Sequence, residues 1–396
     1  MKRNIAIVLL LVMIFTVFAG CGGGATPPAA PAPGGGDTAA QPADGSTDIN
    51  DLPVARIAVF APMTGEHAEF GLNYRAAAEL QAELWNARGG AGGFRIEVVY
   101  FDDRNMGEEA AAIAERMILD PLIMGSIGSF TSGTVMAATP ILQEYGMVNI
   151  SPSASHPDYT AEGNYIFRNN TMIAIEGSAL VDLLIEHHDS SRIGILYIRT
   201  DWGLITGEIM YDLVNARDNL EVVIVEATLD GADDFSVAIA NFEAANVDTI
   251  IVAGMHNTFV PFARQYRAVN PDIKFGAFAN LYNPQVLELG GDAVDGVVFP
   301  VTYSNESTDP GAVEFREGFL AATGRLPCAL TSHAFDSAGI LIQAIANVGM
   351  DRSAIRDYLD IIEFHGVGGL TTFDEFGDAY KSFLGVIARD GAFRLL

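Results

Sequence analysis

The chain has 396 residues, 49% of them hydrophobic, and sets 50 Asp and Glu against 22 Lys and Arg for a formal net charge of -28. Acidity of that size argues against a nucleic-acid partner and against electrostatic adhesion to anionic lipid, since both call for a basic face. The length leaves room for more than one packed core.

At the N-terminus, Lys2 and Arg3 precede an apolar run over 5–18, followed by Ala19, Gly20 and Cys21. Residues 1–21 read as a secretory signal with a lipobox-like end. The apolar core falls short of the about 20 residues of a comfortable membrane span. Small residues before Cys21 suit a signal peptidase, and Cys21 is the expected lipidation site that anchors the mature chain, extracytoplasmic, to the cell membrane. An uncleaved anchor helix or a plain secretory signal would still export it. Residues 22–53, rich in Gly, Ala, Pro and Thr, offer few side chains that pack. Such composition cannot offset its ordering entropy, so a flexible tether is expected. With Cys21 lipidated, Cys328 stands alone, no intramolecular disulfide is available, and Cys328 reads as a small packed residue.

From residue 56 onward, short β-rich runs alternate with helical spacing. Strands are predicted at 57–61, 95–101, 122–127 and 147–150, with helices over 72–86, 108–119 and 133–144 between them. The pattern restarts: strands at 193–197, 221–225, 249–252 and 274–277, helices over 205–216, 235–243 and 259–268. Alternation of this kind predicts βαβ units and parallel sheets covered on both faces. Later pieces, a strand at 296–300, helices over 311–322, 332–347 and 353–361 and a β-rich stretch at 381–389, are too few for a third domain and are expected to complete the first two. The fold class is therefore α/β, two doubly wound parallel-sheet lobes joined by a multi-crossing hinge. The expected division is 54–171 with 304–383 for lobe 1 and 172–303 with 384–396 for lobe 2. Ligands of such sheets bind beyond the carboxyl ends of the strands, here the cleft between lobes.

Several strand-end loops concentrate hydroxyls and free N–H groups: Gly128-Ser129-Phe130-Thr131-Ser132-Gly133-Thr134 after the third strand and Ser151-Pro152-Ser153-Ala154-Ser155 after the fourth. A helix opening at Ser132 offers an anion site, although Ser and Thr also serve there as ordinary caps. Enzyme signals are weak. The G-x-S-x-G elbow and the G-x-x-x-x-G-K-[ST] phosphate loop are missing, which leaves a lipid-anchored hydrolase acting through Ser132 as a remote alternative. His187-His188-Asp189 reads as a solvated helix end, and His67 and His256, in cleft loops, suit hydrogen bonding to a ligand better than metal. No metal and no cofactor are expected.

The ordered set Ala61-Pro62-Met63-Thr64-Gly65, Phe70-Gly71, Asn86 with Gly89-Gly90, Asp102-Asp103, Ile127-Gly128-Ser129 with Ser132-Gly133, and Ile150-Ser151-Pro152 with Ala154-Ser155 resembles the leucine/isoleucine/valine-binding proteins of the type 1 periplasmic-binding fold. The resemblance implies a hinged monomeric receptor without catalysis that hands a small solute, a branched-chain or other hydrophobic amino acid, to an ABC permease. It assigns Phe70 as an aromatic lid, Ser132 to the ligand carboxylate, Ser153 and Ser155 to the carboxylate and ammonium, and Trp202 and Met255 as clamps from the second lobe; Asn280 marks the last contact. Two features depart from the pattern. The acid expected to meet the ammonium after the 274–277 strand is absent from Phe278-Ala279-Asn280-Leu281-Tyr282. An ammonium buried without an anion is costly, so either Glu66, Glu69 or Asp336 substitutes or the ligand is an amide, aromatic acid or other carboxylate without an amine. The segment Asn169-Asn170-Thr171-Met172-Ile173 is likewise without acids. The first-lobe disulfide of the resembling proteins is also lost, with Asn105 and Thr131 in its place.

Overall fold

The computed structural model describes residues 48–396. The expected signal, Cys21 and residues 22–47 of the expected tether lie outside the described residues. The tether's last stretch is ordered instead, with a 3-10 turn over Ile49–Asp51 whose Asp48 side chain accepts the Asn50 N–H.

The first sheet is built of β1 (Val54–Ala61), β2 (Arg95–Asp102), β3 (Ile123–Gly128), β4 (Val148–Ser151) and β5 (Ile166–Arg168), all parallel in the order β2-β1-β3-β4-β5. Near-continuous apolar runs such as Ile57-Ala58-Val59-Phe60-Ala61, all fully buried, are what a strand covered on both faces requires. Helices α1 (Ala68–Ala87), α2 (Gly107–Ile118) and α3 (Ser132–Glu144) make the crossovers.

After β5 the chain crosses to the second lobe through α4 (Ile173–His188). The second sheet follows as β6 (Arg192–Ile198), α5 (Asp201–Asn215), β7 (Glu221–Thr228), α6 (Ser236–Ala244), β8 (Thr249–Ala253), α7 (His256–Val269), β9 (Lys274–Gly276), α8 (Pro284–Gly290) and β10 (Val298–Val301). From there α9 (Pro310–Thr323), α10 (Ala329–Val348) and α11 (Arg352–Leu359), with the small antiparallel sheet β11 (Phe364–Gly366), β12 (Gly369–Phe373) and β13 (Ala379–Tyr380), return to the first lobe; α10 packs along α1 and against β3. Finally β14 (Leu384–Arg389) adds antiparallel to β10 and β15 (Ala392–Leu395) antiparallel to β14, closing the order β15-β14-β10-β9-β8-β6-β7. The chain therefore passes between the sheets three times, which makes a stiff hinge rather than a single loose linker. Among the described residues no helix is long and apolar enough to cross a membrane.

Two packing details orient the cleft. Gly71 and Gly203 lie in the first turns of α1 and α5, and a Cβ at either would sit 2.0 Å from a carbonyl at the preceding strand end, Pro62 O and Ile198 O. Glycine lets both helices start hard against their strands. In α5 this holds the preceding residue, Trp202, at the mouth of the second sheet.

The His187-His188 pair departs from the expected solvated end. His187 is exposed, but one step of the helix turns His188 inward, where its Nε2 lies 2.9 Å from Gly296 O and burial presses its pKa to about 4. Cys328 is packed as expected, buried with its Sγ 2.9 Å from Thr331 Oγ1.

Candidate ligand cleft

The loops that leave the carboxyl ends of β3, β4, β6, β8 and β9 enclose a cavity of about 340 Å³. That is at the small end of ligand pockets, of order 300 to 1,000 Å³, and suits one small solute.

On the first-lobe wall, the N-terminus of α3 faces the cavity through Ser132, Gly133 and Thr134. Thr131 occupies the cap position with extended backbone but makes no side-chain cap; its hydroxyl donates instead to Asn105 Oδ1 at 2.7 Å, and Thr134 donates to the same oxygen at 3.1 Å. Asn105 and Thr131, read as standing where the resembling proteins have a disulfide, thus form a hydrogen-bonded link, and it leaves the first N–H groups of α3 without a side-chain partner. Uncapped N–H groups at a helix start attract a carboxylate. Ser153 Oγ donates to Phe130 O at 2.6 Å, which ties the two hydroxyl loops together. Below them Ser129 Oγ donates to the buried Asp103 Oδ2 at 2.5 Å; burial raises the Asp103 pKa to about 6 against that bond.

The second-lobe wall is Ile198, Trp202, Met255, Phe278 and Asn280. Trp202 meets Phe278 edge on, with ring centroids 6.0 Å apart, and its Nε1–H donates across the cleft to Ser155 Oγ at 2.8 Å. Asn280 Nδ2 donates to Gly254 O at 2.9 Å, fixing the loop that carries Met255.

Charge on the wall comes from Glu176, Asp201 and Asp230, and among the described residues no Lys or Arg lines the cavity. Glu176 lies on the buried stripe of α4 with Ile173, Gly177, Leu180, Val181 and Leu184. Its Oε1 accepts the Ala279 N–H at 2.6 Å, and burial lifts its pKa to about 7 against that bond.

A family model for the periplasmic binding protein matches residues 54–383. The chain belongs to the periplasmic binding protein family. A leucine-, isoleucine-, valine-, threonine- and alanine-binding protein of Pseudomonas aeruginosa is 26% identical over 326 residues, covering 82% of this chain and 86% of that one. The crystal structure of a leucine binding protein from Thermotoga maritima matches with a TM-score of 0.78 at 25% identity over 87% of this chain and 98% of that one. A solute binding protein from R. palustris in complex with benzoate shares the fold alone, with a TM-score of 0.78 at 21% identity over 87% and 95%. These relatives bear out the resemblance read from the motifs and the two-lobed α/β fold.

In this periplasmic binding protein the expected contact residues do not all reach the cavity. Ser132, Ser153, Ser155, Trp202, Met255 and Asn280 line it. Phe70 does not: it is buried in the first turn of α1 and stacks on Phe130 at 4.0 Å, so the ring presented to the cavity is Phe130, flanked by His67 at 5.4 Å. The stripe Phe70, Tyr74, Ala77, Ala78 at helical spacing signals that inward direction.

The three acids considered as ammonium partners are also engaged elsewhere. Glu66 accepts Asn257 Nδ2 at 2.5 Å, Glu69 accepts Asn283 Nδ2 at 3.1 Å, and buried Asp336 accepts the Val367 and Gly368 N–H groups, both at 2.9 Å. Glu176 and Asp230 were not anticipated. An acid on an otherwise apolar helical stripe is the signal that points to Glu176, whereas nothing local marks Asp230, whose Oδ2 lies 3.6 Å from His67 Nε2 of the other lobe. Together with Trp202 to Ser155 and Asn257 to Glu66, that contact brings the lobes together over the cavity.

Proposed function

We propose that this protein is the extracytoplasmic solute receptor of an ABC importer, anchored through lipid on Cys21, that captures a small amphipathic molecule, a branched-chain or other hydrophobic amino acid, between its lobes. The observation that carries the reading is the uncapped start of α3, with Ser132 beside Ser153 and Ser155, facing the apolar wall of Trp202, Met255 and Phe278. One side suits a carboxylate and the other a hydrophobic side chain. The relatives' names support the ligand class, and the R. palustris protein, a solute binding protein of an ABC transporter, supports the transport partner. Solute docks on the first lobe, and closure through Trp202 presents the closed form to a membrane permease; closure is a population shift driven by contacts that only the closed state makes.

A second reading, a receptor for a carboxylate without an amine, is favoured by the acid missing after β9 and by the benzoate-bound relative of the same fold. Thermal unfolding of the purified protein with amino acids, keto acids, amides, benzoate and nucleosides separates the readings. A ligand at 100 times its Kd stabilises by about 2.7 kcal/mol. Replacing Ser132 and Ser155 together by Ala is expected to remove the response to the best ligand. A flat response to every class would end the capture reading.

A further inference from the structure

The loop after β9 lacks an acid of its own but meets one carried by a different element. Glu176 reaches the same loop from α4: its carboxylate takes the N–H of Ala279, within the segment where the acid is missing. The side chain is 3% exposed, lines the cavity, and among the described residues receives no hydrogen bond besides that from Ala279. One donor does not fill the acceptor capacity of a carboxylate, and the remainder opens on the cavity that Glu176 lines.

Its position relative to the carboxylate site is also fixed. The Ile173 N–H donates to Ser155 O at 3.2 Å. Glu176 follows one helical turn later on the same stripe, where side chains are about 5 to 6 Å apart at Cβ. Ser155 in turn accepts from Trp202, which packs on Phe278 next to Ala279. The hydroxyl loop, the clamp ring and the Glu176 carboxylate therefore meet at one end of the cavity. The charge balance there points the same way. Among the described residues, Glu176, Asp201 and Asp230 line the cavity with no Lys or Arg, and His67 already faces Asp230, so a ligand bearing only negative charge would meet carboxylates and no countering side-chain cation.

We infer that Glu176 is the counter-charge for a ligand ammonium, so that the cleft selects zwitterionic α-amino acids over the same carbon skeletons without the amine. The inference rests on the capture reading above and narrows its substrate class. Burial, opposed by the Ala279 bond, raises the Glu176 pKa to about 7, and no charged side chain acts on it. An arriving ammonium favours the ionised form, so binding at pH 7 releases a proton.

The test is calorimetry on the purified full-length protein with matched pairs, L-leucine with 4-methyl-2-oxopentanoate and L-phenylalanine with phenylpyruvate, and with benzoate alone. The expected result is that the amino acid of at least one pair binds, its keto acid binds at least tenfold more weakly, and Glu176→Gln loses at least tenfold for the amino acid while the gap within the pair narrows. Glutamine keeps the acceptor for Ala279, so a merely structural acid would leave affinities within twofold, and that result overturns the inference. A keto acid or benzoate preferred over the amino acids overturns it too, while the capture reading stands. No binding by any compound sinks the capture reading and the inference with it. Should Glu176→Gln fail to fold, titrations of the wild-type protein at pH 7 in two buffers of different ionisation enthalpy decide: proton release with the amino acid is expected, and none overturns the assignment.

Discussion

Glu176 makes the protein's stability depend on pH in an unusual direction. Its pKa in the folded chain, about 7, lies above the ordinary 4.5, so the folded state holds a proton that the unfolded state has already lost. Stability contributed by that proton is intact below pH 4.5 and falls as pH rises through 7, on the order of 3 kcal/mol at most. Asp103, raised to about 6 from 3.8, adds a fall of the same sign over a lower window. Urea midpoints measured from pH 4 to 8 are expected to decline in the wild type between 4.5 and 7 and to decline less in Glu176→Gln, with the Asp103 part left in both. Parallel curves would show that Glu176 has no shifted titration. The hydroxyl residues were legible because their chemistry sits in strand-end loops that the alternation of strands and helices locates. Phe70 was misjudged and Glu176 passed over for a common reason, since each lies on a helical face whose direction decides its role.

At the scale of elements, the long strands and helices follow from apolar spacing alone, and their observed ends fall within a few residues of those predicted. The elements that escaped are α4, 16 residues long and read only through its His187-His188 end, and β5, α8, β11, β12, β13 and β15, which are two to seven residues long and give no period to read. The short ones are fixed instead by distant partners. The clearest case joins β5 to the residue before β13: Arg168, fully buried, donates from Nε to Asp378 Oδ1 at 2.5 Å and from Nη2 to Thr160 Oγ1 at 3.1 Å. Burial pulls the Arg168 pKa down, and Asp378 is the main influence holding it up. Removing one partner of such a pair strands a charge away from water, so Asp378→Ala is expected to cost about 3 to 5 kcal/mol in urea unfolding. The exposed pair of Arg394 and Glu306, 2.7 Å apart, serves as the control, and Glu306→Ala should cost under about 1 kcal/mol. Equal losses would mean that the Arg168 site relaxes to admit water.

For the molecule as a whole, the working property is how the two lobes share the energy of closure, and no local pattern announces those contacts because they depend on both lobes being placed. Trp202 to Ser155 joins residues 47 apart in sequence, and a Cβ added to Gly133 of one lobe would lie 3.1 Å from Asp201 Oδ2 of the other. Trp202→Phe keeps an aromatic ring against Phe278 but deletes the Nε1–H donated across the cleft. A hydrogen bond of this kind contributes about 1 kcal/mol net, equivalent to about fivefold in affinity. Since the bond exists only when the lobes meet, the loss belongs in escape from the closed complex rather than in first encounter. Stopped-flow or surface-based kinetics should show koff raised about fivefold with kon nearly unchanged. A fall confined to kon would instead make Trp202 part of the open docking surface, and closure would then have to rest on the Glu66–Asn257 and His67–Asp230 contacts at the rim.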